Sequence, residues 1–202
     1  MFNQIDSFYP QQQKSRWPAR VAVLFLLLFI SYFFSSTWQG LQHLVSQQLV
    51  GKAFAQSIAS GERQKPWFWS DTWPVVSLSF PERQELLYVL AGAELEVLRH
   101  GPGHVLNSAF PGQVGNALIQ SHGDGYFDFL PTMTEGELIE VESQYGRTLF
   151  RVTSTRITSD SPQELAGSGV DRELTLITPY QSQSQAQAFY FVVNAVAVTA
   201  GP

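Results

Sequence analysis

The chain is 202 residues long, only 14% of them charged, and its formal net charge is −5. A nucleic-acid binder normally shows a basic patch or stripe for the phosphates, and this composition excludes that partner. Cysteine is absent, which excludes thiol chemistry, thiolate-bound metal and disulfides, although a chain of this length can bury one core without covalent staples.

Residues 1–16 read as a cytoplasmic tail. Residues 17–38 read as a membrane span, with the run VAVLFLLLFISYFF from Val21 to Phe34 at its centre and no charge between Arg20 and Lys52. Those 22 residues suffice for a helix, which needs roughly 20 to cross a hydrocarbon core of about 30 Å. Trp17 and Trp38 stand where an aromatic belt lies. The rival is a cleaved signal peptide, which has a shorter apolar region and a small-residue cleavage site. Tyr32, Phe33 and Phe34, followed by Ser35, Ser36, Thr37 and Trp38, favour a retained anchor. Lys14, Arg16 and Arg20 against Asp6 give a net of +2 before the span, whereas 9 positive and 16 negative residues follow it, a net of −7. The positive-inside rule then places the N-terminus in the cytoplasm and the rest outside.

Residues 39–65 read as a stalk helix and linker. Leu41, Leu44, Val45, Leu49, Ala53, Phe54 and Ile58 recur at amphipathic spacing, and Gly61 and Pro66 end the pattern. A loosely ordered linker is the alternative. Residues 66–202 form the folded domain. Val75–Phe80, Glu85–Leu90, Ala117–Ser121, Glu137–Ser143, Thr148–Thr158, Glu173–Thr178 and Phe189–Val198 read as strands, being rich in β-branched and aromatic residues. Gln144-Tyr145-Gly146-Arg147 reads as a hairpin turn, and Tyr126–Leu130 as a short helical turn. Seven or eight short strands predict an all-β fold closed into a barrel or sandwich. The tract QSQSQAQA, Gln181–Ala188, reads as a polar loop.

Four histidines are present. His43 reads as a stalk surface residue. His100 and His104 are four apart, a metal-binding spacing on a helix, but Gly101-Pro102-Gly103 between them forbids a helix; a zinc site with a third ligand is set against a structured loop. His122 ends a predicted strand in the turn His122-Gly123-Asp124-Gly125, where Asp124 is placed to orient it. No Gly-x-Ser-x-Gly elbow, Walker loop, dinucleotide fingerprint or EF-hand loop occurs, so no cofactor is expected.

Four stretches together resemble the sortases, in particular their proteobacterial single-span subgroup. They are the Trp-rich run Pro66–Val75; Gly101-Pro102-Gly103-His104 with Pro111-Gly112 and Gly115-Asn116; Asn116–Asp124; and Leu174–Thr178. The likeness runs from the anchor to the C-terminus. It implies a membrane-anchored, closed sortase-like β-barrel with short helices, facing the periplasm from the inner membrane. It also implies a cysteine nucleophile that makes a thioester with a sorting-signal peptide, a histidine that handles protons and an arginine that steadies substrate and oxyanion.

Residue by residue, His122 matches the histidine. Pro179 stands at the cysteine's position, between Thr178 and the matching Tyr180. The arginine belongs near Tyr190, yet no Arg or Lys follows Arg172. Ser121 and Gly123 also depart from the pattern beside the histidine. The expectation is a sortase-family protein that has lost its catalytic groups, with Asp124, Thr178 and Tyr180 lining what binds the peptide. Its expected partners are a sorting-signal-bearing target protein or an active sortase, besides the lipid bilayer. The alternatives are a residual peptidase using Thr178 or Ser121 beside His122, though both should face away from it, and a decaying product with no role.

Overall fold

The computed structural model describes residues 21, 25, 26, 29, 45–123, 125–167, 169–180 and 188–198. The cytoplasmic tail, most of the 17–38 span and Asp124 therefore lie outside the described residues. The chain divides into two compact units, Met1–Leu41 and Gln42–Pro202. In the first, Val21, Phe25, Leu26 and Phe29 are helical and exposed. Among the described residues no helix is long and apolar enough to cross a membrane.

The second unit opens with helix α1, residues 45–60. Its buried stripe is Val50, Ala53, Phe54 and Ser57, whereas Val45, Leu49 and Ile58 of the predicted stripe are exposed. Two specific contacts select that face. Gln47 clamps the backbone at Tyr88, its Oε1 accepting from the Tyr88 N–H at 2.8 Å and its Nε2 donating to the Tyr88 carbonyl at 3.4 Å. Gly51 presents no side chain to the Tyr88 ring, whose Cε2 would lie 2.6 Å from a Cβ there. The helix ends at Gly61, whose φ of 72° is the left-handed conformation of a C-terminal cap.

Eight strands close a barrel in the order β1-β2-β3-β4-β7-β8-β6-β5. They are β1 (Pro74–Phe80), β2 (Glu85–Ala91), β3 (Gly103–His104), β4 (Gly115–Gln120), β5 (Leu138–Ser143), β6 (Gly146–Thr158), β7 (Arg172–Tyr180) and β8 (Phe189–Ala197). Two short helices, α2 (Leu95–Leu98) and α3 (Pro162–Leu165), fill connections. The β2–β3 and β4–β7 pairs are parallel and the rest antiparallel. Closure buries side chains such as Leu78, Phe80, Ile119, Phe127, Phe150, Leu174 and Leu176 in one core.

Strand β3 is the element that sequence periodicity does not predict. It is two residues long and follows Pro102, yet it joins β2 to β4. Only glycine fits at position 103, because a Cβ there would collide with the Gly92 carbonyl oxygen.

Candidate functional site

Alternation along four adjacent strands separates two faces. Ala117, Ile119, Leu174, Leu176, Phe191 and Val193 point into the barrel. Leu118, Ile177 and Val192 point outward and form a second apolar cluster, against which Leu165, Ala166 and Tyr190 pack. On this outer face the registers define rows. Ser154 of β6 lies opposite Asn194 of β8, which lies opposite Thr175 of β7. The next row runs Arg156, Val192, Ile177 and Gln120. The row beyond begins with Thr158, Tyr190 and Pro179.

The Ser121 N–H donates to the Ile177 carbonyl at 3.0 Å, which carries the parallel β4–β7 register one residue past the end of β4. His122 is the next residue and, like Pro179, is half-buried. Of the three positions that the resemblance assigns to histidine, nucleophile and arginine, two, Pro179 and Tyr190, thus lie on neighbouring strands, and His122 follows the end of a third. Pro179 and Tyr190 are direct register partners.

Proline is compatible with this place for a backbone reason. The N–H and C=O of one strand residue point to the same side, and the sides alternate along the strand. The Ile177 carbonyl faces β4, so the nitrogen of Pro179, two residues on, faces the same side. Strand β4 ends at Gln120, so a residue with no N–H stands at the end of the β4–β7 ladder, where its absence costs one terminal hydrogen bond and no interior one.

Thr178 and Ser121 belong to the other face. Both are buried, at 6% and 0% exposure, and the Ser121 hydroxyl donates to Thr178 Oγ1 at 3.2 Å. This buried pair ties the ends of β4 and β7 together from inside the barrel and does not share the face of the Pro179 row. Tyr180 is exposed at 39% and stacks near Phe191 at 6.5 Å. Thr175 donates to Asn116 Oδ1 at 2.9 Å, and Asn194 donates to Ser154 at 3.1 Å, so the polar row beneath the apolar one is hydrogen-bonded across strands. Arg156 and Thr158, which sequence reasoning left out of the site, enter it through the β6–β8 pairing. Only that pairing reveals them, and nothing in the strand's own composition announces its neighbour.

His100 and His104 hold loops. The Trp67 ring packs edge-on against His100 at 4.7 Å. His104 Nε2 lies 2.9 Å from the Ala109 carbonyl; a carbonyl only accepts, so that nitrogen carries the proton. Burial pushes the pKa of His104 below its ordinary value, partly offset by the Ala109 contact. Burial lowers that of His100 too. Among the described residues no group of three His, Cys, Asp or Glu side chains is placed to hold a metal ion. A separate cleft of about 130 Å³ lies between α1 and the β5–β6 turn, lined by Phe54, Arg63, Trp73, Phe110 and Tyr145.

A family model described as the sortase domain matches residues 78–198, and the chain belongs to the sortase family. Its structure is similar to a sortase D5 transpeptidase of Clostridium perfringens, with a TM-score of 0.63 and 16% identity over 77% of this chain and 99% of that one. It is similar also to a lid mutant of sortase A from Corynebacterium diphtheriae, with a TM-score of 0.57 and 21% identity over 81% and 96% of the two chains. Sortase C-3 of Streptococcus pneumoniae gives 0.55 and 19% over 78% and 83%. At these identities the likeness is one of fold. No functionally curated protein matches the chain.

Proposed function

We propose that this chain is a sortase-family protein that binds a sorting-signal peptide, or the protein that carries one, without cleaving it. The proposal includes an N-terminal anchor in the inner membrane, with the barrel on the periplasmic side. One observation carries the reading: the place where a thiol would meet His122 and a β8 cation is Pro179 opposite Tyr190, in a chain with no cysteine. Proline supplies neither a nucleophile nor an N–H, so the covalent thioester route is closed. What remains accessible on the outer face is the partly exposed Tyr190 ring, packed over the buried Ile177 and Val192, and the exposed Arg156 one row below. Such a surface suits a short extended peptide with apolar side chains. The anchor rests on the charge-free apolar run and on the helical, solvent-facing Val21, Phe25, Leu26 and Phe29. An active sortase is the other partner this surface would fit.

The test presents the full chain in detergent with a fluorescent sorting-signal peptide. Binding is read by anisotropy, and cleavage or acylation by mass spectrometry. The expected result is saturable binding, weakened by Tyr190→Ala, with the peptide recovered intact. Cleavage that disappears in His122→Ala would overturn the reading.

A further inference from the structure

The segment leading into β1 contains a tight turn of unusual composition. The Ser70 N–H donates to the Trp67 carbonyl at 3.0 Å, which makes Phe68 and Trp69 the two corner residues of a β-turn. Corner positions normally carry Pro, Gly, Asn, Asp or Ser. Here they carry two large aromatics, 89% and 68% exposed, with rings edge-to-face at 4.4 Å. Both flanks of the turn are fixed. Trp67 packs on His100 at 4.7 Å. On the other side the Ser70 hydroxyl donates to the Thr72 carbonyl at 2.9 Å, and the Thr72 hydroxyl donates to the Ala91 carbonyl at 2.6 Å. The corner is therefore a projecting tip held in one conformation. Leaving a Phe side chain in water instead of burying it forgoes about 1.5–3 kcal/mol.

The position of the tip identifies what covers it. The His100 carbonyl accepts from Gln47 Nε2 at 3.4 Å, and Gln47 lies close to residue 45, where the described part of α1 begins. The tip thus stands beside that N-terminal part of α1. Six residues, 39–44, join Trp38, the end of the apolar run, to residue 45. Chain length alone limits residue 45 to within about 25 Å of the end of that run. Trp and Phe on a rigid support suit the headgroup boundary, where rings meet hydrocarbon edges and polar atoms together. We propose that Phe68 and Trp69 form a lipid-contacting tip that seats the domain on the bilayer interface. This rests on the anchor part of the proposed function and is independent of its peptide-binding part.

The absence of native cysteine makes the test clean. Phe68→Cys, Trp69→Cys and, as a distant exposed control, Val170→Cys are each labelled with an environment-sensitive fluorophore. The full chain is placed in nanodiscs of phosphatidylethanolamine and phosphatidylglycerol. Expected at positions 68 and 69 are a blue-shifted emission and quenching by lipids spin-labelled near the headgroup, with neither effect at 170. Emission at 68 and 69 matching that at 170 would overturn the proposal while leaving the anchor intact. A blue shift without lipid quenching would also overturn it, because a protein surface would then cover the tip. Failure of the chain to enter nanodiscs would overturn both the anchor and the tip.

Discussion

The buried pair of Ser121 and Thr178 offers the sharpest test of how the candidate site is built. If the two hydroxyls serve each other, removing one should cost more than removing both. Ser121→Ala deletes the donor of a 3.2 Å bond in a position with no exposure and leaves Thr178 Oγ1 without it. Thr178→Val keeps the shape and strands the Ser121 hydroxyl. An unsatisfied buried polar group costs about 1–3 kcal/mol, whereas replacing both partners by apolar groups is close to neutral. For a chain of this size about 1 kcal/mol shifts the melting temperature by roughly 2–4 °C. Each single variant is therefore expected to melt roughly 2–12 °C lower, and the double variant to recover most of that loss. Thermal unfolding of the full chain in detergent, in a double-mutant cycle, measures the coupling. Additive losses, or single variants that melt like the parent, would refute the reasoning. Labelling of the parent by a fluorophosphonate that vanished in Ser121→Ala would refute it more directly, since a hydroxyl locked inside the barrel is no nucleophile.

Three further outcomes are expected. Pro179→Cys should fold with a melting temperature no lower than the parent's, since an N–H at that place can only extend the β4–β7 ladder at its end, and its thiol should react with a maleimide under native conditions; a thiol reactive only after denaturation would contradict the outward placement. Burial holds His104 neutral, so its folded pKa lies below the unfolded 6.5. Its stabilising effect is complete above that value and is lost as pH falls through 6.5 toward the folded pKa; the melting temperature should drop on acidification and drop less in His104→Gln, and equal slopes would refute the assignment. Arg83 grips both Glu137 oxygens at 2.9 Å and the Thr132 carbonyl at 2.7 Å, so Arg83→Lys, which keeps charge but loses the fork, should cost about 1–2 kcal/mol in unfolding experiments.

The strand content was legible because burial leaves a mark on composition. Val75–Phe80 and Glu173–Thr178, read from β-branched runs, became Pro74–Phe80 and Arg172–Tyr180. Gly103–His104 was illegible because two residues carry no periodicity; what makes that strand is the Gly92 N–H, which donates to the His104 carbonyl at 3.0 Å, on one side and the pairing with Ile119 on the other. The face of α1 was legible in part: Ala53 and Phe54 of the predicted stripe are buried, but Gly51 and Gln47 also decide the face, and neither registers as an apolar position. At the site, the resemblance assigns His122, Pro179 and Tyr190 one at a time. Their arrangement depends on pairings between strands far apart in sequence, and the inclusion of Arg156 depends on β6 lying beside β8. The inward turn of Thr178 followed from alternation alone.

Pro179 has a consequence for how such a chain would persist under the proposed function. Its nitrogen stands at the end of the β4–β7 ladder, and the barrel around it is closed. Most routes to an inactive enzyme erode the fold as well, and the product is cleared by quality control. A barrel that keeps its fold without the thiol would escape that clearance and would be present to compete with active relatives for the same targets.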